Sequence, residues 1–293
     1  MYELQAITFD SPKAWDRAVK LFDTWHLYHL GAWLDFIECT QPVTRRVYGI
    51  YAEGVLVGYL PGFVIQKGPI RIFGSPLPGW TTPYLGPAVN RNIDSYSLYL
   101  AIARTLRRDG FRHAEICNPA IDPDPARRAG FRQAARYTYV ADLGAKPDEI
   151  LSNFSKSTRK VVRRALRGEI HAVTTDDPAF IDHYYDQLCV VFAKGNSRPT
   201  YTKQRVQALW KLMMPTGRML PTMVMKRERC IATRIDLCGN GVLHSFGSAS
   251  YREFLKEYPN ELARYHAMCQ AAELGLKSYD MTGRGEYKAK FNA

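Results

Sequence analysis

Hydrophobic and polar positions divide the first half of the chain into helical and strand-like stretches. Their spacing predicts two helices, at residues 25–40 and 95–108, and three strands, at residues 47–51, 55–65 and 113–116. Ala52-Glu53-Gly54 forms a turn between the first two strands. Glycine and proline are frequent in residues 69–87, so this stretch is predicted to be an irregular loop.

The second half shows the same kinds of pattern. Four helices are predicted, at residues 150–167, 178–193, 203–214 and 260–274, the first either continuous or a pair of short helices. Five strands are predicted, at residues 170–174, 219–226, 230–238, 241–250 and 278–281. Each half closes with a helix, a glycine and a short strand, as in residues 101–116 and 265–281. This loose repetition is consistent with a duplicated α/β unit.

Composition places the chain among folded globular proteins. It has 293 residues, of which 46% are hydrophobic, enough for the cores of two modest domains. No run approaches the roughly 20 apolar residues of a membrane-spanning helix, and Met1-Tyr2-Glu3 does not begin a secretory signal, so we expect a cytoplasmic protein. The six cysteines form no C-x-x-C pair, which predicts reduced thiols and no metal site.

Charge adds a second signal. The formal net charge of +12 favours polyanionic partners: tRNA, a nucleotide-linked substrate, coenzyme A or an acidic membrane surface. One stretch without any acidic residue carries six basic side chains: Lys156, Arg159, Lys160, Arg163, Arg164 and Arg167. A helix face whose charges all have the same sign is destabilised by repulsion between them. We therefore interpret this stretch as a phosphate-binding helix, with a solvated charged face as the alternative.

Several catalytic motifs are absent. The sequence contains no P-loop, no G-x-S-x-G elbow and no H-E-x-x-H. His26 and His29 lack an evident third metal ligand, and Gly283-Arg284-Gly285 is only half of a dinucleotide fingerprint without a following helix. Acyl transfer from an activated ester or thioester to an amine needs no enzyme nucleophile, because the amine attacks directly.

Six segments taken together resemble the FemAB-type branch of the acetyltransferase-like (GNAT) superfamily. They are HLGAWLDFIE (29–38), YAEGVLVGYLPGFV (51–64), TPYLGP (82–87), SKSTRKVVRRALRG (155–168), SASYREFLKEYPNEL (248–262) and YDMTGRGEYKAKFNA (279–293). The resemblance implies an α/β fold of two tandem GNAT-like domains with mixed sheets flanked by helices. Residues 1–145 would form a degenerate first domain on the acceptor side, and residues 146–293 would form the domain that carries acyl transfer.

The resemblance also implies candidate site residues. The family's second domain usually ends in Phe-Lys, two residues, an aromatic residue and Gly, which here become Tyr287-Lys288, Phe291 and Asn292, the last a departure. The implied catalytic residues are Lys288, near the reacting carbonyl, with Tyr287 and Asp280. The six basic residues of 156–167 would bind the donor. Five further residues are predicted to bind the acceptor in a cleft: Trp80, Tyr84, Gly86, Tyr251 and Arg284.

Three functions remain open on the sequence. The leading one is an N-acyltransferase that moves an amino acid from aminoacyl-tRNA to an amine of a peptidoglycan precursor, peptide or small metabolite. It is favoured because YREFLKEYP, at 251–259, lacks the glycines of a standard coenzyme A loop. The alternatives are an acyl-CoA-dependent N-acyltransferase of polysaccharide or metabolite biosynthesis and a non-catalytic RNA-binding relative. No cofactor beyond the acyl donor is expected, and peripheral contact with an acidic membrane stays open.

Overall fold

The chain folds into two compact units, Met1–Ala135 and Arg136–Ala293, in a computed structural model that describes residues 2–119, 122–144 and 146–291. The C-terminal Asn292, singled out above, lies outside the described residues. None of the described helices is long and apolar enough to cross a membrane.

The first unit is built on one sheet with the order β1-β2-β3-β4-β6, in which β5 pairs with β3. Its elements are β1 (Tyr2–Ile7), α1 (Pro12–Val19), α2 (Gly31–Thr40), β2 (Thr44–Ala52), β3 (Val55–Lys67), β4 (Ile70–Ser75), β5 (Ala88–Val89), α3 (Ser95–Arg108), β6 (Phe111–Ile116) and α4 (Pro123–Arg128). All strand pairs are antiparallel except β4 with β6, which are joined through α3. Asp94 begins α3 by accepting hydrogen bonds from the backbone N–H groups of Tyr96 and Ser97.

The second unit contains a sheet with the order β7-β12-β11-β10-β9-β8. Its elements are β7 (Val140–Asp142), α5 (Pro147–Asn153), α6 (Lys156–Leu166), β8 (Ile170–Thr174), α7 (Phe180–Ala193), α8 (Lys203–Met213), β9 (Met219–Lys226), β10 (Arg229–Gly239), β11 (Val242–Ser250), α9 (Pro259–Glu273) and β12 (Ser278–Asp280). Only β11 and β12 run parallel, and α9 connects them.

The two units share one plan. In each, a run of antiparallel strands ends in a β-α-β crossover, β4-α3-β6 in the first unit and β11-α9-β12 in the second. The segments whose sequences repeat, 101–116 and 265–281, occupy equivalent places in these crossovers. Each unit encloses its own apolar core, around Leu60, Phe73 and Ile102 in the first and around Val162, Leu243 and Met268 in the second. The predicted fold class is confirmed.

Two sequence expectations need correction. The stretch 69–87 is not irregular throughout, because Ile70–Ser75 forms β4 and pairs on both sides. The helix expected at 25–40 is interrupted at Leu30, whose backbone is extended, and only Gly31–Thr40 is α-helical. Residues 150–167 form a pair of short helices, one of the two arrangements that the sequence allowed, and Ser155 caps the second helix through its side chain. Glycine and proline around β4 hid its period from sequence reasoning.

The boundary between the units also differs from the expected one after residue 145. The strand β7 pairs with β12 through Ala141 and Tyr279, and Ala141 is fully buried in the second core. Backbone pairing therefore assigns residues 136–144 to the second unit. A strand of three residues is too short to leave a periodic pattern in the sequence.

Candidate active site

An open strand edge lies in the second unit, where β11 and β12 diverge. The parallel pairing between them covers only Val242–His244 and Ser278–Asp280. Beyond this point the described strands pair with β11 only on its β10 side, where a bulge at Phe246 shifts the register. A bulge bends a strand and re-aims its side chains, which is why bulges are frequent next to active sites.

A pocket of about 350 Å³ opens beside this edge. Its walls come from the end of β11, the first two turns of α9 and the C-terminal turn Glu286–Phe291. The lining residues are Val191, Arg234, Ser248, Ala249, Ser250, Asn260, Glu261, Arg264, Tyr287, Lys290 and Phe291. Three of these residues are apolar, Val191, Ala249 and Phe291, and the others bring polar or charged groups, which can fix the orientation of a bound small molecule.

A buried polar network forms the floor of the pocket. Arg234, 1% exposed, donates to Asp236 through Nε–Oδ2 at 2.6 Å and Nη2–Oδ1 at 2.8 Å. Its Nη2 also donates to Ser245 Oγ at 2.8 Å and to the hydroxyl of Tyr279, which in turn donates to Asp236 Oδ1 at 2.9 Å. Burial raises the pKa of Asp236, and Arg234 opposes that shift. The bidentate pair fixes the Arg234 fork at the strand bulge.

A second buried arginine, Arg264, stands on α9 beside this network and is 6% exposed. Its guanidinium lies 4.8 Å from the ring centroid of Phe291 and 5.8 Å from that of Tyr279. Burial and then the charge of Arg234 lower the pKa of Arg264. The side chain nevertheless remains charged at neutral pH, because guanidinium groups do not lose their proton in proteins.

Lys288 is buried next to the pocket, with 6% of its surface exposed. Its ammonium group donates to the carbonyl of Gly283 at 3.0 Å and to the carbonyl of Thr282. Burial lowers the pKa of Lys288, repulsion by Arg264 adds to this, and Asp280 opposes it. The neighbouring Tyr287, 58% exposed, lines the pocket itself, and its ring lies 5.9 Å from Lys288 Nζ.

Asp280, the third predicted catalytic residue, ends β12 and is 3% exposed. Its Oδ1 accepts hydrogen bonds from the backbone N–H of Thr282 at 2.8 Å and from the hydroxyl of Thr138. Its Oδ2 lies 3.9 Å from Nδ1 of His244, whose pKa is lowered by burial. Asp280 therefore holds the start of the loop that supplies the carbonyl partners of Lys288.

The six basic donor residues lie on α6, as predicted. The buried face of this helix consists of Thr158, Val162 and Ala165, and five of the six basic side chains are exposed: Lys156, Lys160, Arg163, Arg164 and Arg167. Arg159 is half-buried, and its Nη1 donates to the carbonyl of Ser152 at 2.5 Å. The helix therefore presents a face of one sign to solvent.

The three predicted acceptor residues of the first unit take part in its packing. Trp80, 5% exposed, stands edge-on to Phe63 with ring centroids 5.5 Å apart. Tyr84 is half-buried and stands edge-on to His26 at 4.7 Å. Gly86 adopts φ +70°, and a Cβ there would lie 2.6 Å from Asn118, so only glycine fits. These contacts are structural, and a role in acceptor binding stays a prediction.

The other two predicted acceptor residues belong to the second unit. Tyr251 follows β11, where the guanidinium of Arg229 lies 5.1 Å from its ring centroid. Arg284 is exposed and lies 5.5 Å from the ring of Tyr137. Neither lines the pocket, so their part in acceptor binding also stays a prediction.

Sequence reasoning missed the arginines of the pocket and their partners. Arg234 and Asp236 alternate on one face of an otherwise apolar strand, CIATRIDLC, and charges at such positions signal a buried ion pair. Arg264 similarly interrupts the apolar helix that carries Ala263 and Ala267. Charge within a periodic apolar pattern was the available signal.

Comparisons with known proteins agree with this arrangement. Residues 152–290 match the sequence profile described as "Acetyltransferase (GNAT) domain", a range that includes α6, Lys288 and the pocket residues other than Phe291. No curated protein sequence matches the chain. Among solved structures, FemX superposes with a TM-score of 0.72 at 14% identity, covering 96% of this chain and 89% of its own.

Two further structures share the fold. The tandem GNAT protein of the clavulanic acid biosynthesis pathway gives a TM-score of 0.57 at 12% identity over 100% of this chain and 94% of its own. The C-terminal domain of a putative lysylphosphatidylglycerol synthetase from Agrobacterium fabrum gives 0.56 at 13% identity over 79% and 77%. The fold is that of tandem GNAT-like proteins, and together with the matched acetyltransferase domain it identifies the chain as an acyltransferase.

Proposed function

We propose that the protein is an N-acyltransferase that moves an amino acid from aminoacyl-tRNA to the amine of an acceptor. The observation that carries this proposal is the exposed basic face of α6. The backbone N–H of Ser155, where α6 begins, donates to the carbonyl of Lys290 at 2.9 Å. A nucleic acid bound along α6 would therefore have one end close to the pocket.

The donor preference rests on charge and on the shape of the connection after β11. Phosphates bound by α6 would meet several cations and no carboxylate of the helix itself. The connection from β11 to α9 is a 3₁₀ turn, Arg252–Glu257, that contains no glycine. Its carboxylates Glu253 and Glu257 pair with Arg229 and Lys226 at 2.7 and 2.8 Å. Such a turn is unlike the glycine-rich loops that wrap phosphates.

The proposed chemistry is direct aminolysis. The acceptor amine attacks the ester carbonyl, a C–N bond forms, and the C–O bond to the tRNA ribose breaks. The amine loses a proton, and the leaving ribose hydroxyl gains one. Lys288 would stabilise the negative charge on the carbonyl oxygen, because a cation is most effective there when water is excluded. Asp280 would position the loop that holds Lys288.

A binding and transfer experiment tests the donor. Filter binding of labelled aminoacyl-tRNA should weaken with salt, with a log–log slope of about 0.7 to 0.9 per phosphate contact. The double variant Lys160→Ala/Arg163→Ala should lower this slope by about 1 to 2. The matched double variant Lys194→Ala/Lys211→Ala removes the same charge from two exposed positions, one directly after α7 and one on α8, and should leave the slope unchanged.

Transfer is then measured with labelled aminoacyl-tRNAs and labelled acyl-CoAs against a set of amines. The proposal is supported if product forms from aminoacyl-tRNA and if the Lys160→Ala/Arg163→Ala variant forms less of it than wild type does. Product from acyl-CoA alone would make the protein an acyl-CoA-dependent enzyme. Binding of tRNA without transfer from either donor would favour the non-catalytic RNA-binding alternative.

A further inference from the structure

The pocket of the second unit contains a positive charge that the protein does not neutralise. Four residues that carry a charge at neutral pH line it: Arg234, Glu261, Arg264 and Lys290. Arg234 is paired with Asp236 at 2.6 Å, and Lys290 Nζ is paired with Glu261 Oε1 at 2.9 Å. Among the residues that the structure describes, none accepts a hydrogen bond from the buried Nη1 of Arg264. One guanidinium charge is therefore left over.

The surroundings of Arg264 satisfy its guanidinium only in part: Asp236 attracts it and Tyr287 hydrogen-bonds to it, but Nη1 has no acceptor among the described residues. The rings of Phe291, Tyr279 and Tyr287 lie 4.8, 5.8 and 6.0 Å from the guanidinium carbon. Cation–π contacts compensate a part of the desolvation of a guanidinium but accept no hydrogen bond. A buried cation with an unsatisfied N–H donor is unfavourable in the free protein. A bound anion would remove that penalty.

The start of α9 adds donors to the same pocket. Asn260 and Glu261, in the first turn of this fifteen-residue helix, line the pocket. No side chain caps the helix at Tyr258, so the first backbone N–H groups lack an intrahelical or capping partner. The N-terminal end of a helix carries a partial positive charge that favours anions. The buried guanidinium of Arg264 and the N-terminal end of α9 therefore both favour an anionic ligand.

We propose that this pocket binds an oxyanion, a carboxylate or phosphate group of one of the two substrates, through Nη1 of Arg264. That the bound oxyanion belongs to a substrate rests on the proposed acyl transfer, whereas the existence of the anion site does not. A charge-assisted hydrogen bond between guanidinium and oxyanion is short and strong, and it fixes the orientation of the bound group. Arg264 then determines which substrates are accepted: those that carry an anionic group.

Anion binding by the full chain provides the test. Melting temperature is followed while sodium acetate or sodium phosphate is added, with chloride balancing the ionic strength. Wild-type protein should show a saturable rise with at least one of the two anions. The Arg264→Met variant keeps the packing against Phe291 and removes the charge, so the apparent Kd should rise about tenfold or more. The exposed Arg252→Met variant is the matched control and should bind as wild type does.

Melting without added anion gives a second readout. The Arg264→Met variant should melt at the wild-type temperature or above it, because an unneutralised buried charge is removed. The Arg264→Lys variant keeps the charge without the planar fork and should bind anions more weakly than wild type does. A saturable response to acetate indicates a carboxylate ligand, and a response to phosphate alone indicates a phosphate.

Three results would overturn the assignment: no saturable response to either anion, equal binding by wild type and Arg264→Met, or a marked fall in melting temperature of the anion-free Arg264→Met variant. The last would mean that Arg264 stabilises the free fold. None of these readouts needs acyl transfer. The anion site can therefore fail while the proposed function stands, and the proposed function can fail while the anion site stands.

Discussion

At the residue scale, the buried ammonium group of Lys288 is the group closest to the proposed chemistry. Its hydrogen bonds go to the backbone carbonyls of Thr282 and Gly283, which are neutral acceptors. Neutral acceptors compensate a buried charge only in part, and the lowered pKa of Lys288 reflects that burial. A cation held in this way is available to stabilise negative charge that develops on a substrate.

Replacing Lys288 tests this directly. The Lys288→Met variant keeps the aliphatic stem and loses the charge, so kcat should fall at least about tenfold while binding of the donor persists. Lys277→Met, at an exposed position before β12, is the matched control and should keep normal kcat. Lys290, two residues away, does not serve as a control, because it lines the pocket and pairs with Glu261. Normal turnover of Lys288→Met would refute the catalytic role.

Individual site residues were predictable to different degrees. Lys288, Tyr287 and Asp280 were named because their order along the chain resembles a known motif, and the structure brings Lys288 and Tyr287 to the pocket region. Arg264 was not named, since its importance depends on which groups surround it. The charge of Arg264 within an apolar helix pattern was a signal of burial, but no sequence pattern shows that its buried Nη1 lacks an acceptor among the described residues.

At the element scale, a pair of buried histidines holds the segment that contains Gly86. The Nδ1 of His29 accepts from the backbone N–H of His26 at 3.0 Å, so Nε2 carries the proton and donates to the carbonyl of Gly86 at 3.0 Å. Burial lowers the pKa of His29 from 6.5 to about 4. The neutral form is therefore the one that braces this segment.

This depressed pKa predicts acid sensitivity of the first unit. Between pH 6.5 and pH 4 the unfolded chain binds a proton at His29 that the folded chain does not, so stability falls as pH falls, by about 2–3 kcal/mol at pH 4.5. Urea unfolding at pH 7 and pH 4.5 measures this through tryptophan fluorescence. Four of the five tryptophans report on the first unit: Trp15, Trp25, Trp33 and Trp80.

The His29→Gln variant retains a donor for Gly86 and cannot titrate, so its stability should depend less on pH. The exposed His113→Gln variant should show the wild-type dependence. An equal pH dependence in wild type and His29→Gln would contradict the assignment of the acid sensitivity to His29. Absolute stability at pH 7 is compared separately, because His29→Gln also changes packing.

Most elements followed from local pattern, and the exceptions have physical causes. Helix α3 and strand β8 have the bounds that the sequence predicted, because caps and alternation are local properties. β4 was missed because glycine and proline surround it, and β7 because three residues show no period. β7 is defined by pairing with β12, which is distant in sequence, and β4 by pairing with the preceding β3 and the more distant β6.

At the scale of the whole molecule, each unit has its own sheet and its own core. The second unit contains all the strands of its sheet within residues 136–293, including β7. A chain segment that completes a sheet and encloses a core has the properties of a domain that folds alone. The residue at which the second unit starts then affects its stability, because β7 lies before the boundary at residue 145 that the sequence suggested.

Two fragments test this boundary. Fragment 136–293 should fold, whereas fragment 146–293 should melt about 4–8 °C lower, because it loses the pairing of β7 with β12 and the buried Ala141, a loss of about 2 kcal/mol. Circular dichroism gives both melting curves. Equal melting temperatures would mean that β7 contributes nothing to the second unit and that its start lies after residue 145.

The sequence by itself determined the bounds of most helices and strands and the one-signed face of α6, because these depend on local periodicity, capping and charge. The two-unit α/β plan was implied by the resemblance of six sequence segments to a known family. Only the tertiary structure decided where β11 leaves β12, where β7 pairs and that Arg264 lies buried in a pocket. These features depend on contacts between residues far apart in sequence, such as Arg264 with Phe291 and Ala141 with Tyr279. Burial and hydrogen-bond satisfaction are properties of such contacts, and no local pattern contains them.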